Sequence, residues 1–400
     1  MSEQAIKQRP ESLLRRIFSC IFRLLYFAFL ALLIIPELLY LALLSLLTIP
    51  TLQRQAVFQH GLKLPLFANF DKPEKYGLAP GKVANVHFTT LDNCVLAAWF
   101  ILADPFFQGL RASPTERGTP PTETVIRNAI KAHPTILFLH GSGGSRAISW
   151  DIAAYASFTS RLHANVFAFD YRGFADSTGV PSSDGLTLDA YEAWKWLVER
   201  GAKPGDIVLV GHSLGTGVAA QLVRRLAAEG VAPRGVALLA PFSRYGQLVE
   251  ASAIMWPVRH LPWGIRLLRR CMRHEFDTLG AIGDFRAPTL LAHCRFDANV
   301  SHTHSRTLFN AMLEPLLPAV ATKTTNSQDA TAEERNARRR EIVRTTDIPN
   351  FGVIEEFAGL HAPVVYVETL WGAHCWIGSQ EGVQDEMAKL FHLGWHRHQT

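Results

Sequence analysis

The chain has 400 residues, of which 48% are hydrophobic and 19% are charged, and its formal net charge is +5. That length accommodates one large α/β domain with insertions, or two domains. Much of the excess positive charge lies in the N-terminal arm and in Arg335–Arg344, which does not indicate a nucleic-acid-binding surface. The five cysteines form no C-x-x-C pair and no H-E-x-x-H spacing occurs, so composition argues against a disulfide scaffold and against a bound metal.

The N-terminal region predicts a membrane segment. A basic arm, residues 1–23, precedes a nearly continuous apolar run over residues 24–50, which only Pro36 and Glu37 interrupt. About 20 apolar residues cross the hydrocarbon core of a bilayer, so a single transmembrane helix kinked at Pro36 is expected. The excess of basic residues before the run predicts a cytosolic N-terminus and a lumenal catalytic part, with the endoplasmic reticulum as the expected membrane.

Two alternatives remain open for this region. A secretory signal peptide is also apolar, although this run is long for one and has no clear cleavage site. A re-entrant hairpin turning at Pro36 and Glu37 would instead return the rest of the chain to the cytosol.

Beyond a polar connector, residues 51–81, the pattern predicts one α/β domain over residues 82–400. Val83–Thr90 and Val95–Leu102 predict a hairpin of early strands. Asp104–Pro134 is predicted to be a surface insertion that ends in a basic helical piece. Further strands are predicted at Thr135–Leu139, Val166–Asp170, Ile207–Val210, Val236–Leu239, Pro288–His293 and Val364–Thr369. The alternation of these strands with helices is typical of a mostly parallel sheet that is covered on both faces.

Two segments interrupt the alternation. Residues 242–286 are rich in Trp, Leu and Arg and predict a helical cap over the carboxyl edge of the sheet. Such a cap suits an acyl chain, and its arginines suit anionic head groups, although core packing explains individual residues equally well. Residues 316–360 are polar and arginine-rich, which predicts a solvated and mostly mobile insertion.

A strand, a tight turn and a helix enclose the sequence GHSLG at residues 211–215. This G-x-S-x-G pattern places Ser213 on a sharp bend, where its hydroxyl stands clear of the sheet. The Leu214 N–H at the start of the helix then points to where an oxyanion would form. A second donor is expected from the glycine-rich loop HGSGG at residues 140–144, from the N–H of either Ser142 or Gly143.

A serine hydroxyl needs a base to accept its proton, and the base needs an acid to orient it. Catalytic groups in open parallel sheets collect at the carboxyl ends of strands. Ser213, Asp297 and His374 meet this rule in the chain order Ser, Asp, His. The competing residues are Asp277 and Asp284, in or beside the cap, His361, before the last strand, and His392 and His396, in or beyond the final helix. The interpretation requires no metal and no organic cofactor.

From about Lys82 onward the chain resembles the alpha/beta-hydrolases. More narrowly, it resembles the membrane-anchored ABHD-type monoacylglycerol and lysophosphatidylserine lipases. The resemblance rests on residues 140–144, on DYRGFADS at residues 170–177, on residues 211–215 and on the late Asp297 and His374. It implies an alpha/beta-hydrolase fold with a helical cap. The DYRGFADS segment also occurs in related protein depalmitoylases, and the two long polar insertions depart from the lipases.

Together these features predict a membrane-anchored serine hydrolase that cleaves lipid esters through an acyl-enzyme. Two alternatives are an acyl-thioesterase that removes palmitoyl groups from proteins, and a membrane-tethered scaffold with an inherited hydrolase fold. Cys294 and Cys375 lie beside the acid and the base, and the sequence leaves open whether they pair.

Overall fold

The computed structural model describes residues 11–46, 48–110, 118–252, 255–259, 263–319 and 331–395. The chain forms two compact units, Met1–Ala56 and Val57–Thr400. The second unit thus begins before Lys82, the predicted start of the α/β domain. The reason is that Val57 and Phe58, which the sequence assigned to a polar connector, are buried in its core.

The first unit contains helix α1 (Glu11–Leu46), in which Pro36 lies inside the helix. Its segment Arg15–Leu46 is long and apolar enough to cross a membrane. Because α1 is continuous, the structure does not support the alternative of a hairpin turning at Pro36 and Glu37. The helix begins within the predicted basic arm, whereas residues 1–10 lie outside the described part of the chain.

The second unit is built on one sheet of ten strands among its described residues, in the order β1-β2-β4-β3-β5-β6-β7-β10-β9-β8. The strands are β1 (Val83–Thr89), β2 (Val95–Ile101), β3 (Thr135–Leu139), β4 (Asn165–Phe169), β5 (Ile207–His212), β6 (Gly235–Leu239), β7 (Thr289–Cys294), β8 (Arg344–Ile348), β9 (Gly352–Ala358) and β10 (Pro363–Thr369). The six central strands are parallel, and an antiparallel pair extends the sheet at each side.

Helices cover the two faces of the sheet. The remaining helices are α2 (Pro50–Phe58), α3 (Asp104–Leu110), α4 (Glu123–Ala132), α5 (Ser149–Ser160), α6 (Ser183–Glu199), α7 (Leu214–Ala228), α8 (Tyr245–Ala251), α9 (Trp256–Arg259), α10 (Gly264–Cys271), α11 (Thr278–Ala281), α12 (Thr303–Leu313), α13 (Ala332–Ile342) and α14 (Glu381–Phe391). Successive side chains along a strand point to opposite faces of the sheet. Leu209 of β5 therefore packs with α6 and α7, whereas Val208 and Val210 pack with α5 and α14. The predicted parallel sheet with helices on both faces is confirmed.

Both predicted polar insertions are largely part of the folded domain, which corrects the sequence analysis. In the first, residues 104–134, α3 and α4 bury Phe107, Ile126 and Ile130 against the core. In the second, residues 316–360, α13 is followed by β8 and β9, which pair with each other and join the sheet beside β10. Their backbones are fixed by ladder hydrogen bonds, so polarity alone was misleading. Residues 111–117 and 320–330 lie outside the described ranges.

The predicted cap, residues 242–286, contains α8 to α11 in its described part, and residues 253–254 and 260–262 lie outside it. An antiparallel bridge between Arg244 and Asp277 joins the beginning of the cap to its later part. Its His274 ring packs edge-on against Phe58, with ring centroids 5.0 Å apart. The cap therefore reaches the segment that borders the glycine-rich loop after β3.

Candidate active site

Ser213 occupies a strained turn between β5 and α7. Its backbone has φ 51° and ψ −116°, a conformation that a residue with a side chain rarely adopts. The turn is possible because both flanking residues are glycines: a Cβ on Gly211 would lie 2.5 Å from the Gly215 carbonyl oxygen, and one on Gly215 would lie 1.9 Å from that of Leu139. The Ser213 N–H donates to the Leu239 carbonyl at 3.0 Å, which ties the turn to β6.

The structure brings together the three side chains that chain order had singled out. His374 Nε2 lies 2.8 Å from Ser213 Oγ, and His374 Nδ1 lies 2.6 Å from Asp297 Oδ2. Asp297 follows β7 and His374 follows β10, so both lie at the carboxyl edge of the sheet. Hydroxyl, imidazole and carboxylate thus form one continuous hydrogen-bonded chain. This arrangement allows the imidazole to accept the serine proton while the carboxylate faces its far nitrogen.

The Asp297 carboxylate is held from several directions. Its Oδ1 accepts the backbone N–H groups of Asn299 at 2.8 Å and Val300 at 3.0 Å. On the other side, His293 Nε2 lies 3.2 Å from Oδ2. Burial by itself raises the pKa of Asp297, but the hydrogen bonds from His293 and His374 outweigh it and hold the pKa well below its ordinary value. The acid therefore stays ionised at neutral pH.

Two histidines that the sequence analysis did not place in the site support this chain of groups. His293, fully buried at the end of β7, has Nδ1 at 2.5 Å from Ser305 Oγ and Nε2 at 2.9 Å from the Val300 carbonyl. His212, beside the nucleophile, donates from Nε2 to the His374 carbonyl at 2.9 Å. Burial, aided by the nearby charge of His374, lowers the pKa of His212 to about 4.

The competing residues lie elsewhere. Asp277 pairs with Arg244 and caps the start of α11, and Asp284 lies 3.5 Å from Arg224. His361 is exposed in the turn before β10, and His392 ends α14. His396 lies outside the described residues. Cys294 and Cys375 are both free thiols.

The glycine-rich loop after β3 approaches the nucleophile closely. A Cβ built on Gly141 would lie 3.3 Å from the Ser213 Cβ. The N–H of Gly143, one of the two predicted oxyanion donors, already donates to the Phe58 carbonyl at 2.9 Å, so this alternative is not supported. The backbone hydrogen bonds of turns, loops and caps among the described residues include none that the Ser142 N–H or the Leu214 N–H donates. The N–H groups of Ser142 and Leu214 stay the predicted pair of donors.

Residues of the DYRGFADS segment form hydrogen bonds with the glycine-rich loop and with the residues that follow it. Asp170 accepts the backbone N–H of Arg146 at 2.7 Å, and the buried Arg146 guanidinium binds both Asp170 and Asp176. The Tyr171 hydroxyl donates to the His140 carbonyl at 3.2 Å. Burial opposes the charge of Arg146, but the two carboxylates raise its pKa above the ordinary value. The segment therefore acts as a scaffold for the loop rather than as a reacting group.

A sequence model described as the alpha/beta hydrolase family matches residues 136–383, more than half of the chain. The chain belongs to the alpha/beta hydrolase family. This confirms the family that the sequence motifs had indicated.

Similar proteins place this alpha/beta hydrolase near the ABHD type. It is 28% identical over 264 residues to lysophosphatidylserine lipase ABHD12 of Danio rerio, covering 65% of this chain and 66% of that protein. It is 32% identical over 185 residues to human protein ABHD12B, covering 44% of this chain and 49% of that protein. The chain thus spans about two thirds or less of the length of these curated relatives. A crystal structure of an alpha-beta hydrolase from Vibrio vulnificus superposes with a TM-score of 0.46 at 18% identity, covering 77% of this chain and 81% of that one.

Proposed function

We propose that this alpha/beta hydrolase is a serine hydrolase that cleaves carboxylic esters through an acyl-enzyme. The observation that carries the proposal is the hydrogen-bonded chain Ser213–His374–Asp297, with distances of 2.8 and 2.6 Å, at the carboxyl edge of the sheet. Groups that act only as structure have no need for a hydroxyl, an imidazole and a buried carboxylate in this order.

In the first half-reaction, Ser213 Oγ attacks the acyl carbonyl carbon while its proton moves to His374 Nε2. The Asp297 carboxylate, ionised and held by two backbone N–H groups, stabilises the imidazolium that forms. The carbonyl oxygen becomes an oxyanion, which the N–H groups of Leu214 and Ser142 stabilise. His374 then returns the proton to the leaving alcohol, which departs and leaves the acyl group on Ser213.

Water completes the cycle along the same route. It gives a proton to His374 as its oxygen attacks the acyl-enzyme, and the second oxyanion occupies the same two donors. Collapse of this intermediate breaks the bond to Ser213 Oγ, which regains its proton from His374. The fatty acid is released and the enzyme is restored.

The substrate class we propose is lipid esters of the monoacylglycerol or lysophospholipid type. Two features support it: several similar proteins are named lysophosphatidylserine lipases, and the same chain carries an apolar helix long enough to cross a membrane. We further propose that α1 anchors the enzyme as a single-pass protein of the endoplasmic reticulum. The basic residues before the apolar run favour a cytosolic N-terminus and a lumenal hydrolase domain.

The test is activity profiling of the detergent-solubilised full chain. Wild-type protein is expected to react with a fluorophosphonate probe and to hydrolyse monoacylglycerols or lysophospholipids. Ser213→Ala should abolish both while the protein remains folded. The control is Ser160→Ala, which changes an exposed serine at the end of α5 and should behave as wild type. Undiminished labelling of Ser213→Ala would end the proposal.

The same assay separates the alternatives. A preference for acyl-thioesters together with a cytosolic hydrolase domain in a protease-protection experiment would favour a protein depalmitoylase. Absence of labelling and of all hydrolysis in the wild-type protein would favour a scaffold that retains the fold.

A further inference from the structure

Exposed apolar side chains are concentrated at one edge of the hydrolase unit. Five of them lie in segments that adjoin the candidate active site and are called the aromatic rim here: Leu66, Phe67, Phe296, Trp371 and Trp376. Phe67 is fully exposed, and Phe296 and Trp371 are 72% and 63% exposed. Soluble surfaces rarely gather so many large apolar side chains in one place without a binding role.

Each part of the rim adjoins one part of the catalytic machinery. Phe296 precedes Asp297, and Trp371 and Trp376 lie on either side of His374 in the loop after β10. The backbone joins these two loops, because the Arg295 N–H donates to the Thr369 carbonyl at 2.8 Å. The remaining two residues follow a segment that borders the glycine-rich loop: the Ser145 hydroxyl donates to the Leu64 carbonyl at 2.6 Å.

The opposite edge of the sheet offers a contrast. Trp395 is 81% exposed there, beside His163 at the amino end of β4. Leu360 is exposed in the turn before β10, also at the amino ends of the strands. These residues stand singly, as exposed apolar residues on ordinary surfaces do. The five rim residues differ from these two because they lie in segments that adjoin Ser213, Asp297 and His374.

We propose that the aromatic rim docks on the interface of a lipid bilayer and seats the mouth of the active site against it. The inference rests on the proposed function, since a lipid ester resides in a bilayer. Trp and Phe are the side chains that favour the boundary between head groups and acyl chains. The exposed Lys63, beside the rim, suits anionic head groups.

The place where the hydrolase unit begins also favours a bilayer as the partner of the aromatic rim. The carbonyls of Val57 and Phe58 accept hydrogen bonds from the Ser142 hydroxyl and the Gly143 N–H, so the unit begins at its catalytic edge. In the sequence, only a short segment separates Val57 from Leu46, the last residue of the candidate membrane span. A bilayer that holds α1 would therefore be connected to the catalytic edge of the hydrolase unit by only a short segment of chain.

The test is photo-crosslinking in proteoliposomes that contain the full chain in phosphatidylcholine with some phosphatidylglycerol. A photoreactive benzoylphenylalanine replaces Phe67 or Phe296 and, as a control on the opposite edge, Leu360 or Trp395. Lipid adducts are expected at the two rim positions, about tenfold above the controls. Equal yields at all four positions, or no adducts at the rim, would overturn the inference. Crosslinking does not depend on ester hydrolysis. The experiment can therefore show a failure of docking separately from a failure of the proposed function.

A kinetic test complements it. The triple variant Leu66→Ser, Phe67→Ser and Phe296→Ser removes exposed apolar surface without touching the triad. Its kcat/KM for a vesicle-borne monoacylglycerol is expected to fall by about tenfold or more, because the variant loses apolar surface that would be buried at the bilayer. Hydrolysis of a water-soluble acetate ester should be unchanged. Equal loss on both substrates, or on neither, would contradict docking.

Discussion

His212 Nε2 donates a hydrogen bond of 2.9 Å to the backbone carbonyl of His374, so the residue before the nucleophile holds the loop of the base. The two rings lie with their centroids 5.3 Å apart. Because His374 must face Ser213 on one side and Asp297 on the other, this backbone contact restricts the movement of the loop. We therefore expect the side chain of His212 to position the proposed base without touching the substrate.

Removing this contact should slow the chemistry. We expect His212→Leu to lower kcat by about 2- to 10-fold, since a hydrogen bond contributes a net 0.5–1.5 kcal/mol or so. His212→Gln keeps an amide donor of similar reach and should recover part of the rate. Steady-state hydrolysis, with labelling rates measured on the same folded protein, provides the check. Equal rates for wild type and both variants would show that the contact has no positioning role.

The same histidine makes stability depend on pH. Its folded pKa of about 4 lies below the ordinary value of 6.5, so the unfolded chain binds the proton first as pH falls. The neutral ring therefore contributes fully to the free energy of unfolding above pH 6.5. As the pH falls from 6.5 to 4, that free energy decreases by about 3 kcal/mol in total. The groups that face the ring are Asp151, whose Oδ1 lies 3.9 Å from Nδ1, together with His140, Asp297 and His374.

Thermal unfolding of the solubilised protein from pH 7 to pH 4.5 tests this dependence. Wild-type protein should lose stability more steeply than His212→Gln, which has no proton to gain at that position. The wild-type curve should therefore approach or cross that of the variant as the medium becomes acidic. Parallel curves would mean that the ring is hydrated enough to titrate normally.

The central sheet and the nucleophile turn were predictable because their signals are local. Buried parallel strands read as continuous apolar runs, and two glycines around Ser213 are required by backbone contacts as short as 1.9 Å. Chain order then singled out Asp297 and His374, and the structure places both beside Ser213. Their catalytic roles remain a prediction that the experiments above address.

Other parts of the domain carry no such signal. All five residues of β8 are exposed, so Arg344–Ile348 shows no apolar alternation and its place in the sheet depends on pairing with β9. Val57 and Phe58 bury their side chains in the core, and their carbonyls accept hydrogen bonds from the distant glycine-rich loop. No local pattern in the sequence reveals these contacts. The role of His293 is equally non-local, because a buried histidine in a strand reads as ordinary core.

His293 should prove to be a positioning residue for the acid. Its fully buried imidazole lies 3.2 Å from Asp297 Oδ2, the same oxygen that His374 Nδ1 approaches at 2.6 Å. A hydrogen bond to a charged group contributes about 1.5–3 kcal/mol, so His293→Phe is expected to reduce kcat by roughly 10- to 100-fold with little change in KM. The control Ser305→Ala removes only the partner of the other ring nitrogen and should cost less.

The pH profile distinguishes this role from a general loss of structure. With one donor to Asp297 gone, the carboxylate is less stabilised, so the acidic limb of the kcat profile should move to higher pH in His293→Phe. A variant that is merely less stable would lose amplitude at every pH without moving the limb. An unchanged profile in a folded, labelling-competent His293→Phe would contradict the assignment.

Two glycines, Gly205 before β5 and Gly215 in the first turn of α7, make a matched pair for testing the nucleophile turn. A methyl group at Gly215 would lie 1.9 Å from the Leu139 carbonyl oxygen, a backbone atom that cannot rotate away. At Gly205, before the strand, nothing lies within 4 Å of the same methyl group. Gly215→Ala should therefore displace β3 from the turn. We expect the free energy of unfolding to fall by about 3 kcal/mol or more, because the methyl group overpacks against the backbone.

Gly205→Ala should be neutral, or stabilising by about 0.4–1 kcal/mol through the lower entropy of the unfolded chain. Thermal unfolding and fluorophosphonate labelling of the two variants provide the measurement. We expect Gly215→Ala to lose labelling together with stability, because the same contact sets the height of Ser213 above the sheet. A Gly215→Ala protein as stable and as reactive as Gly205→Ala would mean that the close packing of the turn against β3 does not hold the nucleophile in place.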